Sequence, residues 1–218
     1  MNKSKLTISD FLHQCNLRIM GAMNDETILN SVAGLGYNAE RLTAGKALLD
    51  EAIVLNQKFV KENAELAKAY DLRNKEREEA DLLYIKYFTL AKIAFARDPA
   101  AFVALHLNAR TTPSFNGWLS QAKNFYTLLL QNQQWIDVLQ GFNVSRQNLE
   151  AGLKEVMDVE TAASAIFKGK GEAQSAVSER DVKLDELNRW INDFEAVARI
   201  ALVASPQQLE KLGIVVKR

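Results

Sequence analysis

The chain has very little of what most enzymes and secreted domains rely on. Cys15 is the only cysteine among 218 residues, so no disulfide can form within the chain. It lies among apolar residues at helical spacing and reads as a small core residue. A reactive thiol would need a nearby acid–base partner, and His13, two positions away, would face elsewhere on a helix. Histidine occurs only at 13 and 106. The Glu-x-x-His pairs of a di-metal carboxylate bundle are missing, so no metal site is expected. No glycine-rich phosphate loop follows a strand pattern. The runs Gly34-Leu-Gly and Gly169-Lys-Gly are too short for one, and no serine sits in a nucleophile elbow. No cofactor and no catalytic residue are expected.

Net charge is also lacking, with 27 basic and 27 acidic side chains. Nucleic-acid binders usually carry a basic face, so nucleic acid is not an expected partner. The longest apolar runs, such as 200–204, fall far short of the roughly 20 residues of a membrane span. The N-terminal stretch MNKSKLTISDFLHQ has lysines but no apolar run after them, so no signal peptide is expected and the cytoplasm is the expected location. Three prolines and ten glycines are few, and no series of short alternating runs suggests a sheet.

What is present is helical periodicity, and it recurs. AKIAFARDP at 91–99 returns as ARIALVASP at 198–206, a spacing of 107 residues. That spacing also pairs Glu79 with Glu186, Tyr87 with Phe194, Leu105 with Leu212, and Leu12 and Gln14 with Leu119 and Gln121. In the middle, GYNAER at 36–41 matches GFNVSR at 141–146 at a spacing of 105, pairing Gly36, Asn38 and Arg41 with Gly141, Asn143 and Arg146. Two repeated units follow, 9–108 and 116–214, joined by the polar stretch ARTTPSF and expected to pack as one body. The strings FNGWLSQAKNFY at 115–126 and FEAVARIALVASPQQLEKLGI at 194–214 resemble those of a family of bacterial hypothetical proteins with a duplicated all-helical unit. The resemblance brings no activity, ligand or catalytic residue with it.

The helix map starts with a helix capped by Ser9 or Asp10. A short helix follows from Asp25–Glu26 to Gly34–Gly36, and Asn38 caps a long stripe. Pro99 and Pro206 each begin a short helix, and Gly213 closes the last. Asn143 or Ser145 caps the second long stripe. A two-residue change of spacing inside a helix would rotate later side chains by roughly 200°. The change from 105 to 107, with Gly169 and Gly171, therefore predicts turns in 163–177 and in 61–75. The fold expected is all-α: an antiparallel helical bundle of two pseudo-symmetric repeated units, with four long helices and short end helices. Burying the apolar stripes of one unit against the other, at about 25 cal/mol per Å², is reason enough for the duplication.

Candidate contact residues come from what both units keep. Arg41 and Arg146 each follow an asparagine by three positions, and Lys92 and Arg199 sit in an apolar run near a helix end, where a cation is favoured. They could face a groove, or simply pair with carboxylates and cover the core with their stems. The acidic run Glu76, Glu78, Glu79 and Asp81 alternates with Lys75 and Arg77 and reads as a solvated helix surface. Phe115, Trp118 and Trp135, near the joint between units, are candidate exposed contacts for a protein partner. Together these features point to a non-enzymatic interaction or scaffold protein. One alternative is a binder of a small apolar molecule or lipid in a cavity between the repeats; another, the weakest, is an enzyme that uses no cofactor.

Overall fold

Side-chain oxygens set where the helices start. In the computed structural model, which describes residues 6–110 and 112–216, all regular structure is helical. The order is α1 (Ile8–Asn24), α2 (Glu26–Ala33), α3 (Ala39–Ala94), α4 (Pro99–Ala104), α5 (Phe115–Gln131), α6 (Gln133–Gln140), α7 (Arg146–Ala201) and a terminal 3-10 helix (Pro206–Leu212). Thr111, in the connector before α5, lies outside the described residues, as do residues 1–5 at the start of the N-terminal stretch.

The cap of α1 is Thr7, not Ser9 or Asp10. Its Oγ1 accepts from the Asp10 N–H at 3.1 Å and donates to Asp10 Oδ2 at 2.7 Å. One turn fixes both residues, because an orphan donor of the first turn and the cap hydroxyl are satisfied together. Ser114 caps α5 through the Gly117 N–H. Asp25 and Asn132 cap α2 and α6, Asp98 caps α4 ahead of Pro99, and Asn38 accepts from the Arg41 N–H at the start of α3. Ser145 and Asn148 bond each other reciprocally at the start of α7.

The largest departure from expectation is in the long helices. Instead of four there are two, α3 and α7, each of 56 residues, and neither is broken in 61–75 or 163–177. The reason lies in the loops before them. Gly34 and Gly141 are the C-caps of α2 and α6. Gly36 and Asn143 both take positive φ, 90° and 56°. Asn38 and Ser145 then begin the long helices. Glycine and asparagine are the residues that enter the left-handed region most readily. They exchange places between the loops, so matching identical letters shifts the pairing by two. With the roles matched, the spacing is 107 throughout and no insertion exists. Helices of 17, 8 and 56 residues recur in that order, each starting 107 positions later.

Gly169 and Gly171 lie inside α7. A glycine in a helix interior costs about 1 kcal/mol relative to alanine, which packing can offset. A Cβ at Gly169 would stand 3.3 Å from Leu66 Cδ1, so the glycine keeps that approach open, whereas Gly171 has nothing within 4 Å. The 61–75 segment has no proline or glycine and is rich in Ala, Glu, Lys and Leu, all strong helix formers.

The chain forms two compact units. Unit 1 is Met1–Asn63 with Gly171–Arg218, and unit 2 is Ala64–Lys170. Each combines the start of one sequential half with the end of the other. In unit 1, Phe11, Cys15, Ile19 and Ala22 of α1 meet Ile28 and Val32 of α2, Leu42 and Leu49 of α3, and Leu187, Ile191 and Phe194 of α7. Tyr37 packs on Trp190 and Phe194, with ring centroids 5.6 and 5.4 Å away. A Cβ on Gly45 would stand 2.3 Å from the Trp190 ring, so only glycine admits the indole here. Further along, Glu51 pairs with Lys183 and Lys58 with Glu179, so numbers rise on α3 as they fall on α7.

Unit 2 is filled by rings. Tyr84, Tyr87 and Phe88 of α3 interleave with Phe125 and Tyr126 of α5, edge to face or tilted, at 5.3–6.4 Å. Gly152 lies under Tyr126, where a Cβ would come within 2.6 Å of the ring. Gly45 and Gly152 are 107 residues apart.

Candidate functional site

The seven candidate residues fall into three situations. Arg41 lies over the Tyr37 ring, 4.0 Å from its centroid, with Nη2 3.4 Å from the Tyr37 hydroxyl. Burial raises the Tyr37 phenol pKa, and the Arg41 charge opposes the rise. Arg146 is one residue past its cap, not three. It donates to Gln133 at 3.0 Å and lies 3.9 Å from Glu150. Arg41 and Arg146 therefore do not hold equivalent places, because their match rested on the two-residue slip.

The aromatics are less exposed than expected. Trp118 is buried, and its Nε1–H donates to Asp81 Oδ1 at 2.6 Å. Trp135 is half-buried against Phe95, and Phe115 is half-buried beneath Arg73 and Arg77, whose guanidinium carbons lie 5.0 and 5.7 Å from its centroid. A helical stripe cannot distinguish a ring facing solvent from one covered by an arginine stem.

Lys92 and Arg199 do hold equivalent places, and their surroundings differ. Arg199 donates to Glu195 at 2.8 Å, and Glu195 also lies 3.7 Å from the buried Arg18 in unit 1. In unit 2 the position matching Glu195 is Phe88 and that matching Arg18 is Phe125. Their rings pack at 5.6 Å. Lys92 Nζ sits 4.7 Å from the Phe88 centroid and pairs with no carboxylate of the described residues. It borders an open cavity of about 470 Å³ lined by Ile85, Phe88, Thr89, Asn108 and Arg110. Arg110 also borders a second cavity, of about 300 Å³, whose lining includes His106, Ser120, Asn124 and Phe125. No acidic residue lines either cavity. Arg110, Phe88 and Asn108 were not singled out from sequence. The signal was there, since a spacing of 107 sets a phenylalanine opposite Glu195.

Elsewhere, charge is absorbed locally. Lys154 bonds Asp158, Lys123 bonds Glu160, and Gln121 ties down the connector by accepting from the Thr112 N–H and donating to the Arg110 carbonyl. Burial, then the charges of Asp158, Glu155 and Glu79, raise the Glu76 pKa above its ordinary range. Burial pushes the Cys15 thiol up to about 12, the opposite of an activated nucleophile. Among the described residues, no group of three or more His, Cys, Asp or Glu could hold a metal ion, and no helix is long and apolar enough to cross a membrane. Compared with known proteins, the chain matches no protein family, no curated protein and no solved structure.

Proposed function

We propose that this chain is a non-enzymatic helical scaffold, built as two repeats of one helical unit in an antiparallel bundle and working by contact with a partner protein. The observation that carries the reading is what recurs at the 107-residue spacing. The recurring features are helix lengths, caps, left-handed loop residues and the glycines under large rings. These residues shape backbone and core. A duplicated enzyme would be expected to keep a reactive group in at least one arm, tuned by its surroundings. Here Cys15 is pushed away from reactivity, and the retained cation pair differs in its partners.

The partner surface proposed for this scaffold lies on unit 2 and comprises Arg146 and the half-buried Phe115 and Trp135. The test is isolation of the tagged chain from its native cells. A stoichiometric protein should accompany it and should be released by R146E, or by F115A with W135A, in variants whose thermal unfolding is otherwise near wild type. A chain recovered alone, or a partner held equally by every variant, would overturn the reading.

A further inference from the structure

We propose that unit 2 binds a small organic anion with an apolar body, its charged head held by Lys92 and Arg110 and its body lying on Phe88 and Ile85. The argument is a comparison of positions 107 apart. The two series of helices keep a cation at 92 and 199. At 199 the cation is neutralised by Glu195, one helical turn back and 2.8 Å away. At 92 the residue one turn back is Phe88, so the ammonium rests over a ring instead. A cation beside an apolar floor, with no internal counterion, is a place where an external carboxylate or phosphate ester gains most. Arg110 is a second such cation, since it too pairs with no carboxylate of the described residues and lines the same cavity.

The cavity suits this ligand in size and in sign. Its volume of about 470 Å³ falls within the usual range for small-molecule sites, which combine apolar walls with a few polar anchors. Ile85 is 45% exposed and Phe88 is buried, so the apolar wall runs from core to surface beside the two cations. Thr89 and Asn108 add neutral hydrogen-bonding groups. No Asp or Glu lines the cavity to repel an anion.

The experiment uses the full chain, labelled with nitrogen-15 and titrated with sodium octanoate below its micellar concentration. Octylammonium chloride tests the sign of the charge, and inorganic phosphate tests whether the apolar body matters. Octanoate should give saturable shifts at the amides of Phe88, Thr89, Lys92, Asn108 and Arg110. K92Q and R110Q should each weaken it about tenfold or more, with the remaining amide spectrum unchanged. Four results would overturn the proposal: no saturable shift, equal binding of octylammonium, equal binding of phosphate, or unchanged affinity in the K92Q/R110Q double variant.

Discussion

Arg18 and Glu195 test whether positions 107 apart can be interchanged. Arg18 is 5% exposed, lies 3.7 Å from Glu195, and donates to the backbone and side-chain oxygens of Gln14 at 3.0 Å. The matching residues of unit 2, Phe125 and Phe88, fill the same places with two rings. Removing one partner of a buried ion pair strands the other and typically costs about 3–5 kcal/mol, while replacing both with well-packed apolar groups is often neutral. Glu195 would still have Arg199 at 2.8 Å after R18F, so that loss should sit lower, at about 2–3 kcal/mol. E195F strands Arg18 and should cost about as much, roughly 3 kcal/mol. The R18F/E195F chain should return to within about 1 kcal/mol of wild type, giving a coupling energy of at least about 4 kcal/mol. Urea unfolding would measure the cycle, and hydrogen exchange at the Ile19 and Leu187 amides would confine it to unit 1. At about 2–4 °C per kcal/mol for a chain this long, each single variant should melt about 4–12 °C lower. Losses in the double variant equal to the sum of the singles would refute the interchange.

The two helix glycines should respond in opposite directions. G171A, with open space around it, should stabilise by about 0.5–1 kcal/mol, whereas G45A, forced into Trp190, should cost an amount typical of overpacking, about 1–3 kcal/mol, seen as a lower urea midpoint. Cys15 should resist a thiol reagent at pH 8 in the folded chain and react at once in urea, since burial holds its pKa at about 12; fast labelling of the native chain would contradict its placement. Glu76 has a folded pKa raised above its unfolded value, so its stabilising protonation is fully present below the unfolded pKa and lost as pH rises through the folded one. E76Q should therefore raise the urea midpoint at pH 7, with a gain that shrinks as pH falls through the raised folded pKa and is gone below the ordinary glutamate value of about 4.3; a gain that grows in acid would reverse the assignment.

How far the sequence could be read depended on whether a residue type has one job or two. Proline has one here, and Pro99 and Pro206 each open a short helix as expected. Cys15, read as core from its apolar neighbours at helical spacing, is buried in α1. Glycine and asparagine share a job in the left-handed region, and that overlap hid the register: GLGYN and GFNVS play the same roles in order while their identical letters align two positions apart. The error then spread, because the false insertion called for a turn that neither long helix contains. Gly169 and Gly171 fit such a turn by residue type, since a glycine that admits a neighbour, as Gly169 admits Leu66, looks the same in sequence as one that ends a helix. The site was harder still. Exposure of Phe115 depends on the arginine stems that cover it, and that of Trp135 on the Phe95 ring beside it, neither of which a local pattern states. The free cation at Lys92 could be found only by asking what had replaced Glu195.

Position-by-position replacement also explains how the two units differ inside while their backbones agree. Trp118 donates to Asp81 in unit 2, and the matching residues of unit 1 are Phe11 and Asn188. Where the indole N–H is absent, the acceptor is no longer a carboxylate. Asn188 Oδ1 is nonetheless buried without a partner, a deficit of about 1–3 kcal/mol for an unsatisfied polar atom. Tyr84 and Tyr126 show the converse, with buried hydroxyls lacking partners where unit 1 has Ile191 and Ile19. Each unit thus tolerates a few unsatisfied polar atoms, and they differ between the two. Differences of this kind fit a packing frame, held by caps and glycines, that is constrained more tightly than the side chains that fill it. At Arg18 and Glu195 unit 1 has an ion pair where unit 2 has two packed rings, and Lys92 lacks the carboxylate that Arg199 has.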